Sequence, residues 1–142
     1  MVKQINVFLE NQFGRLAEVT ENLRRNNIDI RALYIADTTD YGILRMILDK
    51  PDEAMKLLTD AGFTVSATSV IAIAIPDVPG TLDTSLALLT TNNISLEYLY
   101  AFVGRSSTDA VVVIRVDDSA QTVKLFEENN IKVLSSSEVY GI

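Results

Sequence analysis

The sequence predicts an α+β fold made of two consecutive βαββαβ units, and three observations carry that reading. The first is a repeat: Asn11-Gln12-Phe13-Gly14-Arg15-Leu16 recurs as Asp77-Val78-Pro79-Gly80-Thr81-Leu82, and Asn27-Ile28-Asp29-Ile30 recurs as Asn93-Ile94-Ser95-Leu96. Both pairs are offset by 66 residues (80 − 14 and 93 − 27). Farther on, Asp49 matches Asp117 and Gly62-Phe63-Thr64-Val65 matches Asn130-Ile131-Lys132-Val133, with an offset of 68 (117 − 49 and 130 − 62). The second copy therefore holds a two-residue insertion, placed here within 104–109. The second observation is that hydrophobic periodicity switches in each copy from alternation to a helical spacing and back. The third is that turn-forming residues fall at the switches.

In the first copy, Ile5, Val7 and Leu9 alternate with polar neighbours, as a strand with one buried face requires. Gly14 opens a helix whose apolar face is Leu16, Val19 and Leu23. Residues 28–36 alternate again, Tyr41-Gly42 punctuates, and 43–48 make a third strand. Pro51 starts a second helix, where its fixed φ is suitable and its missing N–H needs no partner. Ala54, Leu57, Leu58 and Ala61 form that helix's stripe, Gly62 follows as its stop, and 63–67 close the unit. The second copy repeats the order: strand 70–75, helix 80–92, strands 94–103 and 110–116, helix 119–129, strand 131–134. Only Thr68 and Ser69 are left between the copies. The acidic pairs Asp117-Asp118 and Glu127-Glu128 are expected on solvated ends and faces.

With antiparallel pairing and right-handed crossovers, each unit is a ferredoxin-like sandwich of four strands and two helices. One copy alone is marginal in size, and fusing two makes their pairing intramolecular. The expected domains are 1–68 and 69–142, packed as a pseudo-dimer.

Composition narrows the chemistry. Hydrophobic residues make up 48% of the chain and charged residues 22%, which suits a packed core and argues against disorder. A net charge of −7 disfavours nucleic acid and anionic membranes as partners. The sequence has no Cys and no His. That removes disulfides, thiolate nucleophiles, the commonest general base and the commonest metal ligands. No catalytic residue, metal or cofactor is expected. No leader precedes the first strand, and the run 70–75 is far shorter than the roughly 20 residues of a membrane span, so the expected location is cytoplasmic.

The fold hosts unrelated functions, so the site must decide. RNA-recognition modules need aromatic and basic residues on the open sheet, and the third strands, 42–47 and 110–114, lack the aromatic pair. Metal chaperones of this fold need paired Cys. Acylphosphatase chemistry needs an Arg in a Gly-rich first loop and a positioned Asn. Asn11 and Arg15 imitate these, but the second copy has no such Arg and the glycine cradle is missing. What remains is the loop before each first helix. Polar-x-Pro-Gly-x-Leu after an apolar strand, followed by a helix and Asn-Ile-x-Ile, resembles the signature of ACT domains over essentially the whole chain, twice. Residues 77–82 fit it fully; residues 11–16 depart from it at Phe13, where proline is usual.

The resemblance implies that two ACT-like domains pair and that a free amino acid binds between the loop of one and the start of the second strand of the other. The ligand-binding candidates are then Asn11, Phe13, Gly14, Arg15 and Leu16 with Ser95 and Leu96, and Asp77, Pro79, Gly80, Thr81 and Leu82 with Asp29 and Ile30. Elementary chemistry supports the loops independently. Glycine admits a close ligand or a positive φ. N–H groups at a helix start suit an α-carboxylate, and Asn11 or Asp77 can accept from an α-ammonium. Structural readings stand beside these: the glycines as turn residues, Asn11 and Asp77 as caps, Asp29 and Ser95 as strand starters, and Tyr34, Tyr98 and Tyr100 as packing. The implied function is a non-catalytic regulator that binds an amino acid and signals to a protein partner or through self-association as a homodimer. The alternative is an interaction module without ligand.

Overall fold

The computed structural model describes residues 1–10, 12–37, 40–102 and 108–142. Most of the proposed insertion, 104–107, lies outside the described residues. Contacts divide the chain into two units, Lys3–Thr68 with Gly141, and Ser69–Tyr140 with Met1, Val2 and Ile142.

The first unit contains β1 (Val2–Glu10), α1 (Arg15–Arg25), β2 (Ile30–Asp37), β3 (Tyr41–Leu48) and α2 (Pro51–Asp60), and it ends on the start of β4 (Thr64–Pro76). Its strands lie in the order β2-β3-β1-β4, with β3 antiparallel to both β1 and β2. Asn6 ties β1 to β4 by donating from Nδ2 to Thr68 Oγ1 at 2.8 Å and to Ser66 Oγ at 3.2 Å. The core takes Ile5, Val7 and Leu9 from β1, Leu44, Met46 and Leu48 from β3, Val19 and Leu23 from α1, and Ala54 and Leu58 from α2. This is the alternating and helical pattern of the sequence, with two corrections. Leu16 is 37% exposed, because the first turn of α1 is the end of the helix face and not part of the core. Ala61 is the exposed C-cap of α2 and lies beyond its stripe.

The second unit takes the rest of β4, then α3 (Thr81–Thr91), β5 (Leu96–Ala101), β6 (Asp109–Val116), α4 (Ser119–Glu128), β7 (Lys132–Val133) and α5 (Ser136–Tyr140). The order β5-β6-β4-β7 reproduces that of the first unit. Ile71, Ile73 and Ile75 face Leu89, Val112, Ile114, Val116 and Phe126 in its core. Even the irregularities repeat: register shifts fall between Ile30 and Ala32 and between Leu96 and Tyr98.

The expected break at Thr68-Ser69 is absent. β4 is one strand of 13 residues that serves as the last strand of the first unit and the first strand of the second. Nothing in Thr64 to Val70 forms a turn, and its β-branched residues favour extended backbone.

All four long helices end alike. Asn27, Gly62, Asn93 and Asn130 have φ of 55, 94, 57 and 60°. In each case the next residue's N–H returns to a carbonyl five residues back: Ile28 to Leu23, Phe63 to Leu58, Ile94 to Leu89 and Ile131 to Phe126, at 2.9–3.0 Å. These are Schellman stops, in which a left-handed residue lets the chain turn back and an apolar pair covers the end. The recurring Asn-Ile is therefore accounted for as a helix stop.

The expected closing strand 131–134 is only two residues long, and an additional helix follows. Ser135 caps α5: Glu138 N–H donates to Ser135 Oγ at 3.2 Å, and Ser135 N–H donates to Glu138 Oε2 at 2.8 Å. That is a capping box, with Lys132 Nζ 3.0 Å from Glu138 Oε1. The Ser135 N–H, chiefly, and Lys132 lower the Glu138 carboxyl from 4.5 to about 2. A lowered folded-state pKa adds stability that is complete above the ordinary carboxylate value and is lost as pH falls through the folded one. The Ser135 amide proton shift is therefore expected to titrate near pH 2, and the titration should vanish in Glu138→Gln. A midpoint near 4.5 would show that the box does not form.

Candidate functional site

The two loops that open α1 and α3 have the same backbone. Gln12 N–H donates to Glu10 O at 2.7 Å and Val78 N–H to Pro76 O at 2.9 Å. Arg15 N–H then reaches Gln12 O at 3.4 Å, and Thr81 N–H reaches Val78 O at 3.5 Å. Gly14 (φ 83°, ψ 0°) and Gly80 (φ 95°, ψ −17°) sit third in these four-residue turns and act as N-caps of their helices. Those angles are the signature of a type II turn, which favours proline at the second position and needs glycine at the third. Pro79 supplies the favoured residue in one copy, and Phe13 adopts the same turn without it. A Cβ built on either glycine meets nothing within 4 Å, so φ, and not crowding, demands glycine. Neither helix start has a side-chain cap. Asp77 is accordingly not the cap of α3, and its own N–H donates to Thr108 O at 3.2 Å.

The side chains around this shared backbone differ. Arg15 lies with its guanidinium carbon 4.4 Å from the centre of the Phe63 ring, and its Nη1 donates to Glu18 Oε2 at 2.7 Å. The side chain is 23% exposed, while its Nε is buried without a hydrogen-bond partner. Thr81 turns inward instead: its hydroxyl donates to Pro76 O at 2.6 Å. Phe13 is completely exposed, and Val78, Leu16 and Leu82 are exposed as well. Asn11 lies outside the described residues.

The other candidates sit elsewhere in each unit. Asp29 and Asp49 bond reciprocally: Asp29 N–H donates to Asp49 Oδ1 at 2.9 Å, and Asp49 N–H donates to Asp29 O at 3.2 Å. Ser95 and Asp117 repeat the clamp at 3.0 and 3.1 Å. Arg31 Nη1 donates to Asp29 Oδ2 at 2.6 Å. Ile30 and Leu96 begin the strands directly after these clamps. Register fixes the separation. Glu10 pairs with Tyr41 at one end of β3, and Ile30 pairs with Leu48 at the other. Seven residue steps along a strand are roughly 24 Å, so within a unit the loop and the second-strand start are at opposite ends. Each unit thus brings together its loop residues, and separately its strand-start residues, but not the two sets.

Asp117 and Asp118 are exposed, as expected, and each also has a structural role. Asp117 forms the clamp, and Asp118 Oδ1 caps α4 by accepting from Gln121 N–H at 3.0 Å. The offset of 68 had aligned Asp49 with Asp117, and an acid conserved between diverged copies was the available signal. Among the described residues, no group of three or more acidic, His or Cys side chains could hold a metal. No helix among them is long and apolar enough to cross a membrane.

The model of the ACT domain pair matches residues 1–141. The chain belongs to the ACT-domain pair family. The ACT pair is 40% identical to a protein from Bacteroides thetaiotaomicron, whose crystal structure it matches at a TM-score of 0.93 over 99% of this chain and 96% of that one. It also resembles the ligand-free regulatory subunit of aspartate kinase from Thermus thermophilus, at 14% identity and a TM-score of 0.66, over 89% of this chain and 91% of that one. The corresponding subunit from Thermus flavus matches at 13% and 0.60, over 89% and 90%. At these identities the likeness to the Thermus subunits is one of fold. Comparison with curated proteins found no match.

Proposed function

We propose that this ACT pair is a non-catalytic sensor, with one ACT-like domain in 1–68 and one in 69–142, that binds a free amino acid at its helix-opening loops and signals to a protein partner. The observation that carries the reading is the pair of glycine turns that leave an uncapped helix start in both copies, although the surrounding residues have diverged. An uncapped helix start has N–H donors for an α-carboxylate. At the first loop, Arg15 is held in place by Phe63, and its partner Glu18 is exposed, so a carboxylate displaces a pair worth only about 0.2–1 kcal/mol.

A thermal-shift panel of the twenty amino acids tests this. A true ligand at 100 times its Kd should stabilise by about 2.7 kcal/mol. No amino acid should be consumed in the process. One observation favours the second reading, an interaction module without ligand: Phe13 projects wholly into solvent from the same turn. No shift with any amino acid would select it, and amino-acid turnover that disappears on Arg15→Ala would remove both.

A further inference from the structure

We propose that the loop end of the first repeat is a docking surface for a basic, amphipathic segment of a partner protein. This goes beyond the amino-acid reading and stands without it. Phe8 and Tyr41, from neighbouring strands, are 41% and 37% exposed and stack with ring centroids 4.7 Å apart. The turn that follows β1 adds Phe13, which is fully exposed. The second repeat is an internal control, because the same fold leaves these positions small or polar: Ala74 for Phe8, Pro79 for Phe13 and Asp109 for Tyr41. The fold therefore does not require aromatics here. Large aromatic surfaces held in water are characteristic of recognition sites.

Charge selects the occupant. Glu10 and Asp37 end β1 and β2, Asp40 precedes β3, and all three are exposed. None of the ion pairs among the described residues includes them. Of the neighbouring cations, Arg15 is paired with Glu18, and Arg45, farther along β3, donates from Nη1 to Tyr34 Oη at 2.6 Å. An apolar centre with an acidic rim complements an apolar segment flanked by Lys or Arg. A second copy is a poor fit, since a two-fold contact sets the same three acids against themselves in a chain already at −7. Nucleic acid and anionic lipid are repelled for the same reason.

The test uses the full chain and a fluorescein-labelled amphipathic helical peptide of leucine and lysine, followed by anisotropy. Phe8→Ser and Tyr41→Ser are expected to weaken binding by about tenfold or more each, a loss of about 1.4 kcal/mol. Asp37→Asn with Asp40→Asn should weaken it and flatten its salt dependence, while Val78→Ser on the second loop leaves it unchanged. A leucine–glutamate peptide should not bind. Equal binding by wild type, Phe8→Ser and Tyr41→Ser would overturn the proposal, as would equal loss in Val78→Ser. So would a wild-type dimer that Phe8→Ser converts to monomer, because the occupant would then be a second copy. Unchanged melting temperatures of the two serine variants exclude a folding defect. An amino-acid shift retained by both separates this surface from the ligand reading, and either can fail while the other holds.

Discussion

Valine in place of Gly14 is expected to abolish amino-acid binding, whereas valine in place of Gly80 should leave it within several-fold. Both substitutions force a β-branched residue to φ of 83 or 95°, a strain of about 1–3 kcal/mol that should lower the two melting temperatures similarly. Stability therefore cannot account for a difference in binding. The difference comes from charge. The first helix start has Arg15, which offsets Glu18 in its first turn, and its loop has the neutral Asn11. The second loop has Asp77, with Asp83 in the first turn of its helix. Two carboxylates there oppose an incoming α-carboxylate. Calorimetry with a neutral amino acid on both variants decides. Gly14→Asn supplies the control, because asparagine tolerates left-handed backbone, as Asn27, Asn93 and Asn130 already do. If Gly80→Val were the variant that lost binding, the first loop would not be the stronger site.

The other large effect is on stability. Phe126→Ala is expected to destabilise by about 3–5 kcal/mol. The side chain is 0% exposed in the core of the second unit, and its carbonyl accepts the Schellman bond from Ile131 at 2.9 Å. Since whole domains are stable by only about 5–15 kcal/mol, this one change should bring the chain close to unfolding at physiological temperature. Phe13→Ala is the matched comparison: the same substitution at a fully exposed site should cost within about 0.5 kcal/mol of nothing. Urea denaturation of the two variants gives both numbers. Equal losses would mean that Phe13 is covered in solution.

Much of this was legible in the residues, for identifiable reasons. The strand face Ile5-Val7-Leu9 was readable because a period of two leaves one choice of buried face, whereas 70–75 is apolar at both parities and was readable only as a strand. The glycine turns were readable because a type II turn allows few residues at its third position. The α5 helix was missed although Ser135-Ser136-Ser137-Glu138 spells a capping box, since five residues have no hydrophobic period to find. Leu16 was misplaced because periodicity identifies a helix face but not where along it the core ends. The roles of Asp49 and Asp117 depend on backbone groups of Asp29 and Ser95, some twenty residues away in sequence, which no local pattern reports. Of the site, the loops were legible as backbone. The Arg15–Phe63 contact joins the start of one helix to the stop after another and was not.

The continuous β4 restricts how this chain can change length. Val65 packs on the first core, and Ile71, Ile73 and Ile75 belong to the second, so the odd-numbered residues of one strand serve both. A single inserted residue at Thr68 or Ser69 would exchange the row Ile71, Ile73 and Ile75 with the row of Val70 and Ala72, which is buried as well but much smaller, and so misfit the core of the second unit. Length changes in β4 are thus confined to even steps or to its ends. Elsewhere the two copies differ by two residues, and sequence alignment assigns that difference to 104–109. Drift in the number of residues between the repeats is the one kind of change that this architecture filters by parity.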